Sequence, residues 1–531
     1  MKIKNKNNLI LSLIILVAIP IQLYHLNILS LWYDESFSII LAKNSVQNLF
    51  EIAKADVHPP LYYLLLHLWI KVSANITFIR FFSVLFSISS IIIAYLFSKE
   101  ILNEKVGLLT SFSLSISPLF VHHSQEIRMY SLLLFFILTS TYFFWKFAKD
   151  KKILSAILYV FFSVCGFYTH YYILFIIIAQ LIYLTSVNVL QGDIIKRLKT
   201  SLILGGSIFV LYIPWLKIFF SHLLSSTGSG VQALPHSISL DNLANIILIF
   251  FFGEAKTLPL KSLFYFLYNY RLENLYFLLI LMLFFLPLIL TIFLIKNKVL
   301  KNDDAIVQKS RDVSPYNPTY NGVLFILFLT IIPFLFSCIL IFIGGRFYPR
   351  NLIIILPFYL MLLSYSILSI KPIWIRLLLT LLITFYLLNS TIRYHKYFIR
   401  DVTFNVSYYL KYHENLENTA IFCTNPFTFF PLKIYFNSEN IYLLMTGKVT
   451  YINLITANKK EIINDKNFLK QFPSIWIVLS EWSIDDHLKE ELKLVEKRWL
   501  DEKEWHKESE YPIGSVKKIL MIKYNQAHYI K

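Results

Sequence analysis

The side chains that could do chemistry in this chain fall into a few short clusters. The acidic candidates are Asp34, Glu35 and Glu126, and the cationic or titratable ones are His58, Arg128, Arg346 and Arg350. A carboxylate can act as a general base towards a hydroxyl group, and cations can stabilise negative charge on a departing phosphate. If the fold brings them together, this set suits the transfer of a group from a phosphate-bearing donor.

Each cluster also has a purely structural explanation. Asp34 and Glu35 could cap a helix, because acids favour helix N-termini. His58 stands before two prolines and could be a turn residue. Glu126 and Arg128 could form an interfacial ion pair. Arg346 and Arg350 could anchor lipid headgroups. The combination and order of the clusters are therefore more informative than any one of them.

The composition indicates the environment of these residues. Of the 531 residues, 56% are hydrophobic and 15% are charged, whereas a soluble domain averages about 25% charged residues. Lipid must therefore cover most of the surface, which predicts a polytopic α-helical membrane protein. The net charge of +18 is explained by lysines and arginines in cytoplasmic loops. Nucleic acid is not an expected partner, because no basic stripe interleaved with aromatics occurs in a soluble segment.

The apolar stretches predict about eleven transmembrane helices. They lie near 9–26, 76–97, 106–121, 129–147, 153–169, 171–190, 200–220, 272–296, 321–343, 350–370 and 373–391. The loops expected in the cytoplasm contain most of the loop lysines, as the positive-inside rule requires. This orientation puts the N-terminus in the cytoplasm of a plasma (inner) membrane protein, and the polar clusters and the C-terminus outside.

The segment His58–Ile70 is apolar but too short to span a bilayer. Counting it as a span would invert every later loop and violate the charge rule, so it is expected to be an interfacial or re-entrant helix. The preceding stretch, Phe37–Ala55, is expected to lie along the membrane surface.

The chain is predicted to contain two domains, a transmembrane domain at 1–391 and a small extracytoplasmic α/β domain at 392–531. In the second, regular charges of both signs separate short apolar runs. The expected strands are 419–423, 474–479 and 516–524, and the expected helices are 427–436 and 485–497.

The combination resembles a known family. Asp34-Glu35 after the first span, His58-Pro59-Pro60-Leu61-Tyr62-Tyr63, Ser124–Ser131 and Arg346–Pro357 occur in the order seen in GT-C-fold glycosyltransferases of the protein O-mannosyltransferase and lipid A aminoarabinose transferase type. The resemblance covers roughly residues 9–370. It implies transfer of a sugar from a polyprenyl-phosphate donor to a lipid, glycan or protein acceptor at the outer face of the membrane. Membrane lipid is a further expected partner.

The resemblance also implies roles for single residues. Asp34 would be the base of a single, inverting displacement, and Glu35 would orient the acceptor or hold Asp34. Glu126 is a second acidic candidate that could pair with Arg128. The donor phosphate would be bound by His58, Arg128, Arg346 and Arg350. Some relatives have a lysine near the position of His58.

No metal is required by this chemistry, although a divalent cation is not excluded. The three cysteines lack the spacing of metal ligands. Three other functions stay open at this point. They are a glycan ligase or polymerase with a lipid-diphosphate donor, a lipid or sugar transporter, and a scaffold for the C-terminal domain.

Overall fold

The computed structural model describes two bodies of secondary structure, a large helical one and a small sheet. It describes residues 2–187, 193–224, 285, 287–293, 318–342, 349–397, 403–413, 419–436, 440–444, 461–463, 465–481, 485–500, 504–513 and 518–526.

The helical body contains most of the described chain. Its helices are α1 (Lys2–Leu23), α2 (Tyr33–Lys43), α3 (Val46–Ala55), α4 (Leu61–Ile70), α5 (Ile76–Ile101), α6 (Glu104–Ser115), α7 (Pro118–Ser124), α8 (Tyr130–Asp150), α9 (Ile153–Phe167), α10 (Ile173–Ser186), α11 (Ile194–Leu224), α12 (Pro318–Phe342), α13 (Leu356–Ser369) and α14 (Ile373–Tyr397), with a 3-10 helix at Pro349–Ile354.

Six of the described helices are long and apolar enough to cross a membrane, by length and composition. They are Lys6–Leu23, Ile76–Ile101, Tyr130–Asp150, Ile194–Leu223, Tyr320–Leu340 and Ile373–Lys396. Three shorter apolar helices, α9, α10 and α13, lie where spans are predicted. Most of the span predicted at 272–296 lies outside the described residues. The predicted total of about eleven spans therefore stays a prediction.

The span predicted at 106–121 is divided into the two helices α6 and α7. The break falls at Ile116 and Ser117, directly before Pro118, which is the first residue of α7. Proline suits the first position of a helix, since it has no N–H to donate there. The break directs α7 and the turn after it, residues 125–129, towards the clusters near the start of α2.

The segment between α1 and α5 forms three short helices. The helix α4 has ten residues, about 15 Å at the usual rise of about 1.5 Å per residue, too short for a bilayer of about 30 Å. This agrees with the expected interfacial or re-entrant helix. The preceding stretch forms α2 and α3, and Ser45 caps α3 by accepting a hydrogen bond from Asn48 N.

In the described residues, the C-terminal body contains a six-stranded mixed sheet and three helices. It comprises the helices α15 (Thr403–His413), α16 (Pro426–Phe436) and α17 (Asp485–Trp499), and the strands β1 (Thr419–Cys423), β2 (Ile441–Leu444), β3 (Ile462–Ile463), β4 (Ser474–Glu481), β5 (Trp505–Ile513) and β6 (Lys518–Gln526). The strand order is β3-β2-β1-β4-β6-β5, and β1 to β4 pair in parallel whereas β6 pairs antiparallel with β4 and β5. The predicted strands correspond to β1, β4 and β6 and the predicted helices to α16 and α17, so these are confirmed. The strands β2, β3 and β5 and the helix α15 were not predicted.

The two bodies meet at α16 and the start of α2. The Tyr33 ring packs against Phe427 and Phe430, with ring centroids 4.8 and 5.9 Å away. Leu31 N donates a hydrogen bond of 2.6 Å to the Tyr435 hydroxyl. The helix α14 runs to Tyr397, across the predicted domain boundary at 391/392. The sheet domain thus covers the segment that contains the first acidic cluster.

Candidate active site

Asp34 lies in the first turn of α2, between two arginines. Its Oδ2 is 3.1 Å from Arg350 Nη1 and 3.9 Å from Arg128 Nη2. The side chain is 21% exposed, so the carboxylate is partly shielded and still reachable. The segments of the two arginines are separated by more than 200 residues of sequence, and both converge on one carboxylate. The three side chains therefore form one charged group, and their roles as base and phosphate ligands stay predictions.

Glu35, the next residue, points into the protein. Its carboxylate forms a two-point ion pair with Arg80, with Nε to Oε1 at 3.1 Å and Nη2 to Oε2 at 3.0 Å. Both side chains are 0% exposed. Oε1 also accepts a hydrogen bond of 3.0 Å from Ile127 N. In this structure Glu35 is therefore bound on both oxygens by the protein itself.

Arg80 was not among the residues expected at the site. It lies in α5 and also donates hydrogen bonds to Leu26 O, Leu29 O and Ser30 O, at 2.9, 2.7 and 3.3 Å. A sequence signal for it existed, because an arginine within an apolar span is costly unless it is paired or functional. Arg80 connects α5 to the segment that leads into Asp34.

Arg128 follows α7 in the turn before α8. Its Nη1 donates to Asp34 O at 3.3 Å and to Ser38 Oγ at 3.2 Å, so the guanidinium contacts both the backbone and the side chains of α2. Its Nε is buried and has no hydrogen-bond acceptor among the described residues. Arg128 is thus bound to α2 through Nη1, and its Nε has no acceptor among the described residues.

Glu126 does not pair with Arg128 in this structure. Its Oε1 is 3.2 Å from His122 Nε2, and its Oε2 is 2.8 Å from His123 Nδ1. Burial raises the pKa of Glu126, but the two histidines outweigh burial and hold that pKa well below its ordinary value. Among the described residues, His122, His123 and Glu126 place one possible metal-ligand atom each within 4.8 Å of the others.

His58 belongs to a second polar group beside α4. Its Nδ1 is 3.1 Å from Asp56 Oδ2, which also accepts a hydrogen bond of 3.0 Å from the Tyr63 hydroxyl. Burial lowers the pKa of His58, and Asp56 opposes that effect. Burial raises the pKa of Asp56, but the charge and hydrogen bond of His58 outweigh it and lower the pKa to about 2. Asp56 was not expected from the sequence.

Aromatic rings connect these groups. The Arg350 guanidinium lies 5.6 Å from the Trp32 ring centroid and 5.9 Å from that of Tyr130. The His170 ring lies 5.5 Å from the His58 ring and 6.0 Å from the Tyr130 ring. Such contacts between cations and ring faces hold a guanidinium without neutralising it.

The structure therefore brings together Asp34, Arg128 and Arg350, with His58 connected to them through His170 and Tyr130. It places Glu35 and Glu126 in separate buried groups beside this centre. Arg346 lies outside the described residues.

Comparisons with a family model and with solved structures found similar proteins. Residues 57–218 match the family model described as dolichyl-phosphate-mannose-protein mannosyltransferase. The structure is similar to ArnT from Cupriavidus metallidurans in the apo state, at 10% identity, with 96% of this chain and 97% of that chain covered and a TM-score of 0.58. It is also similar to the same protein bound to undecaprenyl phosphate, with the same identity and coverage and a TM-score of 0.54.

A third similar structure is the Archaeoglobus fulgidus oligosaccharyltransferase in complex with Zn and sulfate, at 10% identity, with 96% of this chain and 72% of that chain covered and a TM-score of 0.50. Among curated protein sequences, none matches this chain. The chain has the GT-C fold. The resemblance found in the sequence, the fold class and the enzyme class, a glycosyltransferase, are confirmed, and the chain is an integral membrane protein. The roles of single residues stay predictions.

The geometry of Glu35 generates a first prediction. Replacing one member of a buried ion pair leaves an uncompensated charge and typically costs about 3–5 kcal/mol. We therefore expect Glu35→Gln and Arg80→Leu each to lower the thermal midpoint of the purified protein by several degrees. The double variant Glu35→Leu/Arg80→Leu should be less unstable than the sum of the two single variants.

Glu100→Gln is the matched control, because Glu100 pairs with Lys149 at 2.7 Å and both side chains are at least 30% exposed. Such surface pairs contribute at most about 1 kcal/mol, so its midpoint should stay near that of the wild type. Loss of turnover in Glu35→Gln with an unchanged midpoint would instead favour a role in chemistry.

Proposed function

We propose that this glycosyltransferase moves a sugar from a polyprenyl-phosphate donor to a hydroxyl of an acceptor at the extracytoplasmic face of the plasma membrane. The observation that carries the proposal is the position of Asp34 between Arg128 and Arg350. One carboxylate and two guanidinium groups at a partly accessible point are what a phosphate-leaving displacement needs. The undecaprenyl phosphate named for the similar ArnT structure supports the donor class.

Asp34 would act as the general base. An acceptor hydroxyl is a poor nucleophile, and a carboxylate within hydrogen-bond reach removes its proton as the new bond to the sugar forms. A single displacement inverts the anomeric centre, whereas retention would need a nucleophilic carboxylate in addition. Glu35 is bound by Arg80 and Glu126 by two histidines, which supports the single displacement.

The arginines would take the phosphate. The leaving phosphate gains negative charge in the transition state, and fixed cations stabilise that charge. Arg350 is held against two aromatic rings, and Arg128 has a buried Nε without an acceptor among the described residues. Both guanidinium groups lie beside the Asp34 carboxylate, where they would bind the phosphate oxygens of the donor. His58, and Arg346 from its place in the sequence, would complete the phosphate site.

Glu35 and Glu126 would have positioning roles. Glu35 fixes the start of α2 against Arg80 and accepts a hydrogen bond from Ile127 N. Glu126 precedes Ile127, so both acids hold the turn from which Arg128 reaches Asp34. No step of this reaction requires a metal ion.

The first test uses purified protein and a panel of polyprenyl-phosphate sugars, with release of free polyprenyl phosphate as the readout. Asp34→Asn should lower turnover by about a hundredfold or more, the usual range for loss of a general base, without a change in thermal midpoint. The control Asp193→Asn removes an exposed helix-capping carboxylate and should keep wild-type turnover. Near-normal transfer by Asp34→Asn would refute its role. Release of polyprenyl diphosphate in a parallel assay with polyprenyl-diphosphate sugars as donors would indicate the ligase chemistry.

Arg350→Ala tests the phosphate site. Because a charge-assisted hydrogen bond contributes about 1.5–3 kcal/mol, the apparent KM for the donor should rise about tenfold or more. The KM for the acceptor should change much less. Arg376→Ala, a change in α14 away from this cluster, serves as the control. An unchanged donor KM in Arg350→Ala would contradict the assignment.

His58 should make donor binding depend on pH. Burial lowers the pKa of His58, so the free imidazole is largely neutral at pH 7, and a bound phosphate favours its protonated form. The apparent KM for the donor should therefore rise as pH increases from about 6 to 8, the range around the ordinary histidine pKa. In His58→Lys this rise should flatten, because an ammonium stays charged over that range. An identical pH profile in both proteins would show that His58 does not contact the phosphate.

A further inference from the structure

The short helix α7 and the turn after it contain a buried group that the proposed transfer reaction does not use. It consists of His122, His123 and Glu126. The two imidazole rings approach opposite oxygens of the same carboxylate, at 3.2 and 2.8 Å, and all three side chains are at most 3% exposed. One ligand atom from each residue lies within 4.8 Å of the others. Three lone-pair donors therefore converge on one small volume.

The chemistry of the group suits a metal ion. Two histidines and one glutamate form a common ligand set of zinc proteins, in which three protein ligands leave a fourth position open. A divalent cation would engage both rings as neutral ligands and would be partly neutralised by the carboxylate.

The backbone around these residues is fixed by hydrogen bonds from other helices. Ser131 Oγ donates to His123 O at 3.0 Å. Gln125 Nε2 donates to Gln22 O at 3.0 Å and to Tyr24 O at 2.8 Å, at the end of α1. Metal sites depend on such support, because ligands held by the surrounding structure need little reorganisation to bind the ion.

We propose that His122, His123 and Glu126 bind a divalent transition-metal ion of the zinc type. Imidazole nitrogens favour such ions, whereas Mg²⁺ and Ca²⁺ prefer oxygen ligands. The ion would fix the turn that positions Arg128, which lies two residues after Glu126. This inference does not depend on the identity of the donor or the acceptor.

The experiment uses the full chain in detergent, purified with an affinity tag that contains no histidine. After treatment with a chelator, the protein is dialysed against Zn²⁺, Co²⁺ or Mg²⁺ and its metal content is measured. We expect roughly one equivalent of Zn²⁺ or Co²⁺ per chain, no retained Mg²⁺, and a thermal midpoint that rises when Zn²⁺ is restored, because binding to the folded state stabilises it.

Variants locate the ion. His122→Ala and Glu126→Gln should each weaken Zn²⁺ binding by at least about tenfold. His222→Ala is the control, because His222 contacts Tyr171 and Lys54 O in another part of the fold, and it should retain the ion. The visible spectrum of the Co²⁺-loaded wild type provides a readout that does not depend on any variant, since nitrogen and oxygen ligands in low coordination give intense d–d bands.

Two outcomes would overturn the proposal. In the first, the wild-type protein retains no stoichiometric Zn²⁺ or Co²⁺, and its thermal midpoint does not change when either ion is added. The group would then be an ion pair. The other is full metal retention by both His122→Ala and Glu126→Gln, which places the ion elsewhere. If neither variant folds, a Co²⁺ protein without d–d bands refutes the site.

Discussion

The Glu35–Arg80 ion pair is the interaction on which the geometry of the site depends. A guanidinium with no exposed surface is tolerated only when its donors are matched, and Arg80 matches them with one carboxylate and three backbone carbonyls. In doing so it connects α5, the 26–30 segment and the start of α2. The hydrogen bond from Ile127 N to Glu35 adds the turn that contains Arg128. Three segments that are distant in sequence are thereby fixed around Asp34.

The balance of charge around Asp34 explains how one site could serve two substrates. The Asp34 carboxylate faces two guanidinium groups, those of Arg128 and Arg350. The Asp56 carboxylate contacts His58, whose pKa burial lowers. A donor phosphate would add negative charge, which a proton on His58 can compensate. In a poorly hydrated site such compensation matters more than in water, because unbalanced charge there is costly.

The C-terminal sheet domain takes part in the same arrangement. Its helix α16 places Phe427 and Phe430 against Tyr33, and its Tyr435 accepts a hydrogen bond from Leu31 N. These contacts lie on either side of the residues that begin α2. The domain therefore packs over the segment that positions Asp34.

The sequence by itself determined the membrane class, the short α4 and several elements of the C-terminal domain. The family resemblance led us to expect Asp34, Arg128 and Arg350 at one site. Apolar length, charge bias and motif order are local properties, and a single sequence displays them directly. The sequence did not predict β2, β3 or β5. The charged residues of β5 resemble those of a surface segment. It also gave no reason to divide the span at 106–121, although Pro118 marks the place.

Only the tertiary structure decided which charged groups pair. Adjacent acids, Asp34 and Glu35, point to different partners because successive residues of a helix differ by about 100° in direction. Glu126 pairs with His122 and His123 rather than with Arg128, because the turn after α7 brings its carboxylate to these two rings. Arg80 and Asp56 acquire their roles from contacts across the fold, and such contacts arise from packing that no local pattern records.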